Sequence, residues 1–334
     1  ARALGIYAEL SAVRDGVSAE EVKHRLLGMA SGQETLLGYF MKFIGNFEKR
    51  VGINRTAKTL GGYRNAYNHV ERFIRSQYKV SDIPFTALDL SFIEKYDLHL
   101  RTECHLAPGT VINLTVQLKT VVGEAIADGI ITAYPFFGYE PEHPKPEQKY
   151  LTDGELHRIM GTPLHNPSLY LVRDMFLFSC FTGIPYGDMR LLTEDNLSKA
   201  ADGTWWIKGS REKTDVEFEV PLLELPLRII RKYRDTASGR KLLPMYSNST
   251  MNLYLKRIAR ICGIDRRLVF HSGRHTYATE ITLSHGIPLE TVSKMLGHSR
   301  IETTQIYAKV TDDKIDSDTD GLNERIAERF SVVI

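Results

Sequence analysis

The segment YPFFGYEPEHPKPEQK, residues 134–149, carries four prolines, at 135, 141, 144 and 146. Each removes a backbone donor and fixes φ, so neither a helix nor an inner strand can run through this stretch. The chain is therefore divided here, and the segment reads as an extended linker between two domains. Before it, residues 36–132 read as helical. Tyr63, Tyr67, Val70, Ile74 and Tyr78 recur at helical spacing, and Val111, Leu114, Leu118, Val121, Val122 and Ala125 mark a second apolar stripe. After it, Thr152 and Glu155 have capping-box spacing, and residues 169–181 read as a buried helix closed by Gly183. Then the period changes. Val216, Phe218 and Val220 alternate with Glu217 and Glu219 which, with residues 205–207, implies a small hairpin or three-stranded sheet. Helices resume at about 223–235, 249–263, 272–285, 288–296 and 300–309. The acidic, breaker-rich run 311–321 tethers a last helix at 322–330. The fold class is mainly α with a small antiparallel β-sheet, in a helical domain (33–133) and a second domain (150–334) on either side of the linker.

A net charge of +2 hides an uneven distribution. Residues 228–274 hold twelve Lys or Arg, Arg257 and Arg260 among them, against Asp235 and Asp265. Residues 55–79 hold six (Arg55, Lys58, Arg64, Arg72, Arg75 and Lys79) against Glu71. One basic stretch alone reads as a solvated face, whereas two in a nearly neutral chain imply a polyanion held by both domains. No apolar run approaches the ~20 residues of a membrane span, so a membrane partner is not expected. Three scattered cysteines, Cys104, Cys180 and Cys262, suit a reducing cytoplasm and read as small buried hydrophobes. The chain opens on Ala1 in helix-forming sequence, which reads as the continuation of something longer.

In FHSGRHTYATE, His271 and Arg274 stand three apart at a helix opening, close to its free N–H groups, a good place to hold an anion. His298 follows a Leu-Gly helix end, Tyr307 stands in a stripe with Ile301, Ile306 and Val310, and Lys213 lies in a hairpin turn. Singly, each has an ordinary structural role. Together they are the parts for breaking a phosphodiester without a metal: a tyrosine attacks, cations stabilise the non-bridging oxygens, and an acid protonates the leaving oxygen. No Walker loop, H-E-x-x-H or carboxylate cluster suited to Mg²⁺ is present, so no cofactor is expected.

HSGRHTYAT followed by LGHSRIETTQIYAKV closely resembles the tyrosine recombinase (lambda-integrase-like) family, and the order Lys213, His271, Arg274, His298, Tyr307 matches that family's catalytic order. The resemblance covers about 150–330 as catalytic domain and 36–132 as core-binding domain. It extends to residues 1–32 as the end of an arm-binding region, especially as in integrases of Bacteroides-type mobile elements. It implies a C-shaped clamp on duplex DNA and a 3′-phosphotyrosyl intermediate at Tyr307, presented on a short helix. Arg274 would bind the non-bridging oxygens, His271 would be base or phosphate ligand, His298 would bond the phosphate, and Lys213 would protonate the leaving 5′-oxygen. It further implies a cytoplasmic protein, nucleoid-associated on DNA, working as a homotetramer on synapsed sites with the 322–330 helix docked on a neighbour, and accessory DNA-bending proteins as further partners.

One position departs from the family pattern. Its first arginine follows a Thr-Gly-hydrophobic triplet, and in FTGIPYGDMRLL that place holds Pro185, which can donate nothing to a phosphate. Bacteroides-element integrases are similar in this. Arg211, two residues before Lys213, would share a strand face with the lysine and is the preferred replacement. Arg190 is second, and a plain DNA-backbone role for either stays open. A DNA-binding regulator that no longer cleaves, a type IB topoisomerase-like enzyme, and invertase or resolvase work are the alternatives to integration.

Overall fold

The computed structural model describes residues 2–12, 17, 19, 22, 34–144, 148–234, 236, 239–307, 319 and 326. The backbone divides into two units, Ala1–Pro146 and Glu147–Ile334, each with its own apolar core. No helix among the described residues is long and apolar enough to cross a membrane.

In the first unit a short helix α1 (Arg2–Ser11) is followed by α2 (Leu36–Glu48), α3 (Ala57–Gln77), α4 (Leu90–Thr102) and α5 (Pro108–Ala127). Their starts are set by local chemistry. Thr56 accepts the Thr59 N–H, Asp89 accepts the Phe92 N–H, and Pro108 opens α5, where its missing donor costs nothing. Asp82 reaches back to the Leu37 and Gly38 N–H groups at 2.9 and 3.1 Å and closes the start of α2. Val70, Ile74 and every apolar residue expected on α5 are buried, while Tyr63, Tyr67 and Tyr78 pack at the rim of the core.

The proline segment is not a plain linker over its first half. Phe136 is buried and stacks on Phe92, and buried Tyr139 donates to Asp97 at 2.6 Å. Prolines forbid regular backbone pairing, not burial, and these two aromatic side chains fasten residues 134–139 to the helical unit.

The second unit begins with α6 (Asp153–Gly161), entered through the Thr152/Glu155 capping box. It continues with α7 (Pro167–Thr182), α8 (Tyr186–Met189), and strands β1 (Leu197–Lys199), β2 (Trp205–Ser210) and β3 (Glu217–Pro221). Then come α9 (Glu224–Tyr233), α10 (Asn248–Ile261), α11 (His271–Thr276), α12 (Leu289–Leu296) and α13 (Glu302–Gln305). Helix α7 is buried nearly all round, from Val172 through Cys180, because α9, α10 and α11 pack against it. The sheet is antiparallel in the order β1-β2-β3, with Ile207 paired to both Leu197 and Val220. Phe218 and Val220 face the core as their alternation requires.

Two expected helices differ. The 272–285 helix is α11 running on as a π-helical turn (Tyr277–Thr282) and a 3₁₀ turn (Leu283–His285). Thr282 Oγ1 donates to the Tyr277 and Ala278 carbonyls within that stretch. Of the 300–309 helix the described residues show α13, with Tyr307 in the turn that follows it, its N–H donating to Thr304 O at 2.9 Å. Cys180 and Cys262 are buried and Cys104 is half-buried, all as free thiols. The 311–321 tether and the 322–330 helix, apart from residues 319 and 326, and most of residues 13–33 lie outside the described residues.

Candidate active site

Two glycines shape the floor of the site. Gly183 ends α7 with φ +70°, and a side chain there would strike Tyr277 and Leu296. Gly297 ends α12 with φ +63°, and a Cβ there would come within 2.9 Å of Arg211 Cγ. Glycine takes this backbone without strain and leaves this space, and two carbonyls, Gly183 O and Leu296 O, accept from Arg274.

Arg274, on α11, is 2% exposed. Its guanidinium donates to Gly183 O at 2.9 Å, to Leu296 O at 2.6 Å and to His298 Nε2 at 2.8 Å. A guanidinium only donates, so His298 Nε2 is the acceptor and its proton sits on Nδ1, donated to Thr304 Oγ1 at 2.7 Å. Burial, then the neighbouring Arg211, lower the Arg274 pKa to about 10, opposed by Tyr307 and Asp188, and it stays charged at neutral pH.

Tyr307 is 6% exposed. Its ring lies parallel to His298 at 6.2 Å between centroids and meets His275 edge-on at 5.0 Å, and His275 meets His271 edge-on at 5.0 Å. The row of rings therefore runs His271, His275, Tyr307, His298. All three imidazoles are held below their ordinary pKa. Burial does most of this, reinforced at His298 by Arg274, Arg211 and His271, and at His275 by His271, Lys149 and Arg274, which brings both to about 4. His271 keeps an exposed face but is closely surrounded, and burial with Arg274, Arg211 and Lys149 lowers it too.

Arg211 leaves the end of β2 and joins the same cluster. Its NH1 donates to Leu296 O at 2.9 Å, the carbonyl that also takes Arg274. Its Nε stands 2.6 Å from Asp188 Oδ2 without pointing its N–H at it: an ion pair, not an aligned hydrogen bond. Asp188 Oδ1 accepts the Glu212 N–H at 2.8 Å, so one buried carboxylate holds both Arg211 and the turn that carries Lys213. Lys213 is exposed at the tip of this turn. Arg190 stays outside the cluster, half-exposed and paired with Glu212 at 3.1 Å. Pro185 is the N-cap of α8.

The structure thus gathers Tyr307, His298, Arg274, Arg211 and His271. His275, Asp188 and Thr304 are the members that sequence reasoning missed. His275 was the most accessible of these, since it stands four residues after His271 and so on the same helical face. Of the basic residues considered for a polyanion, Arg55, Lys58, Arg64, Arg72 and Arg75 in the first unit and Arg257 and Arg260 on α10 in the second are exposed. Arg64 and Arg75 are engaged by Glu48 and Glu71, and Arg55 and Arg257 lie over Phe47 and Tyr254.

Residues 149–314 match the phage integrase family and residues 35–140 the phage integrase SAM-like domain. The tyrosine recombinase XerD of Listeria monocytogenes is 26% identical over 223 residues, which is 61% of this chain and 73% of that protein. XerD of Shewanella oneidensis is 25% identical over 269 residues, 75% of this chain and 86% of that one. Among solved structures, a lambda integrase dimer bound to a core site has TM-score 0.67 at 17% identity, covering 84% of this chain and 97% of its own. The Tn1549 transposon integrase in complex with transposon right end DNA has TM-score 0.64 at 18% identity, covering 87% and 100%. Fold and family matches together define a class, the enzymes that break and rejoin DNA strands. Within that class the chain belongs to the phage integrase family, the tyrosine recombinases.

Proposed function

We propose that the chain is a site-specific recombinase, the integrase of a mobile element, acting on duplex DNA through a 3′-phosphotyrosyl link at Tyr307. The observation that carries this is His298, which accepts from Arg274 through Nε2 and stacks on Tyr307 with its ring. One imidazole thus joins an anion-binding guanidinium to a nucleophile. The Tyr307 oxygen attacks the scissile phosphorus, its proton passes to a neutral imidazole of the row, and the bond to the 5′-oxygen breaks as Lys213 supplies the proton that oxygen needs. Arg274 and Arg211 hold the non-bridging oxygens, with His271 and His298 as further phosphate ligands. Arg211 takes the part vacated at Pro185, since it alone of the two candidates shares a carbonyl with Arg274. Attack by the freed 5′-hydroxyl on the phosphotyrosine rejoins a strand with no outside energy source.

The exposed basic residues of α3 and α10 contact phosphates of the duplex. Lambda integrase has been solved as a tetramer bound to a Holliday junction, which supports a homotetramer on synapsed DNA here, in the cytoplasm. The likeness to the transposon integrase supports the mobile-element assignment.

The test is capture of detergent-stable protein–DNA adducts from a randomised duplex library, comparing the parent with Tyr307→Phe. Adducts from the parent that disappear in Tyr307→Phe are expected, and sequencing them reads out the site. Salt-sensitive DNA binding with no adduct from either protein would favour a regulator that no longer cleaves, the reading Pro185 supports.

A further inference from the structure

His275 immediately follows Arg274, yet its side chain serves a different neighbour. Spacing of four residues from His271 puts the two imidazoles on one face of α11, in edge contact at 5.0 Å and 89°. His275 also meets the Tyr307 ring, at 5.0 Å and 65°. Tyr307 is therefore walled by two imidazoles, His298 parallel to it and His275 edge-on. The two walls differ in how they are held. His298 is fixed by hydrogen bonds through both ring nitrogens, to Arg274 and Thr304. His275 has no hydrogen bond to its ring nitrogens among the described residues, so its contribution is the ring itself, kept in place by helix α11 and by His271.

Walls matter more than usual for this tyrosine because it sits in a turn. Helix α13 ends at Gln305, and among the described residues the Tyr307 backbone is tied back by one hydrogen bond, to Thr304 O. The helix that would have oriented a nucleophile stops short of it, so the rings beside it and Arg274 take a larger part in orienting the phenol.

We propose that His275 is a positioning residue for Tyr307: its ring forms the second wall of a slot that fixes the phenol plane beside Arg274 and keeps the ring away from solvent. The proposal rests on Tyr307 being the nucleophile only for its consequence in cleavage, since the slot is a property of the free protein. A nucleophile displaced by about 1 Å loses roughly a hundredfold in rate. Removing one wall should therefore slow the chemical step and leave DNA affinity alone.

The experiment compares His275→Ala, His275→Phe and His275→Gln in the full chain, each checked for folding by thermal melting. The first readout uses no DNA: the rate at which N-acetylimidazole acetylates the Tyr307 phenol, followed by peptide mass spectrometry. His275→Ala and His275→Gln are expected to raise this rate at least about fivefold, and His275→Phe, which restores a flat ring, to return it to near the parental value. The second is single-turnover adduct formation with a duplex recovered from the library selection, with DNA affinity measured in parallel. Ala and Gln should slow adduct formation at least about tenfold at unchanged affinity, and Phe should recover most of the loss. If His275→Ala does not fold, Gln against Phe decides. Parental acetylation and cleavage in the ringless variants would overturn the proposal. So would a His275→Phe variant as slow as Gln, which would assign the role to an imidazole nitrogen. A parent that makes no adduct while acetylation still follows the ring would sink the recombinase reading and leave the slot standing.

Discussion

Replacing Arg211 by alanine separates a cation that binds phosphate from one that merely holds the fold. In the structure the guanidinium makes two contacts, Leu296 O at 2.9 Å and the Asp188 carboxylate at 2.6 Å, and its side chain is 15% exposed. Its removal leaves Asp188, a carboxylate only 4% exposed, with the Glu212 N–H as its remaining partner. Orphaning one member of a buried pair costs about 3–5 kcal/mol, so the single variant should melt well below the parent. Adding Asp188→Asn removes the buried charge while keeping an acceptor for the Glu212 N–H, and most of that stability should return. Cleavage should not return with it. A lost donor to developing phosphate charge costs about 2.7–4 kcal/mol, roughly 10²–10³ in rate. The assay is single-turnover formation of the DNA adduct, at a temperature where parent, single and double variants are all folded. Arg190→Ala, which breaks only an exposed pair with Glu212, serves as control and should cleave within about twofold of the parent. Parental cleavage by the Arg211→Ala, Asp188→Asn protein would refute the assignment of Arg211 to the phosphate.

Three further outcomes are expected. His275 and His298 titrate near 4 in the native chain against an ordinary value of about 6.5, so the unfolded chain takes up protons first as the pH falls, and stability present above pH ~6.5 is lost toward pH ~4. That loss is about 1–3 kcal/mol per histidine, and a protein with both changed to Phe should show a smaller drop in melting temperature between pH 7.5 and 5.0; equal drops would contradict it. Gly297→Ala forces a side chain into φ +63° against Arg211, and should cost about 1–2 kcal/mol in a denaturant titration and slow adduct formation at least tenfold, with DNA affinity kept. Changing both Arg257 and Arg260 to alanine should flatten the slope of log binding constant against log salt by about 2 if each meets a phosphate, and leave it unchanged if they are solvent-facing only.

The elements were legible wherever one periodicity ran long enough. The stripe of α5 and the alternation of β3 appear in the structure as the sequence implied, because each is a single face against a single core. Reading failed where tertiary contact overrides local preference. Four prolines pointed to an extended linker, and the units do divide within it, yet Phe136 and Tyr139 found the helical core, since burying two aromatic rings outweighs the absence of backbone pairing. Ile301, Ile306 and Val310 pointed to a helix through Tyr307, but the ring is held by His298 and His275, which are remote in sequence, and α13 ends first. Within the site, spacing indicated His271 and Arg274. That Asp188 anchors Arg211 depends on a contact from α8 to the end of β2, across 23 positions, that no local pattern encodes.

If the chain cleaves DNA as proposed, the meeting of Arg211 and Arg274 on Leu296 O accounts for a proline at 185. Two guanidiniums at one carbonyl repel each other, which is part of what lowers the Arg274 pKa, and the pair persists because Asp188 stands behind Arg211 and the carbonyl dipole lies between them. An arrangement of that kind is poorly satisfied on its own and well satisfied by an anion, because a bound phosphate turns the repulsion into joint attraction. On the proposed reading, what the site needs is a second guanidinium beside Leu296 O, and not an arginine at any particular point of the chain. A side chain entering from the end of β2 meets that requirement as well as one from α8, provided that Gly297 leaves room for its stem and a carboxylate fixes its angle. Placing arginine at 185 in the Arg211→Ala, Asp188→Asn protein puts this to the test: recovery of cleavage would show that the charge matters and its origin in the chain does not, and failure to recover would tie the function to the β2 turn itself.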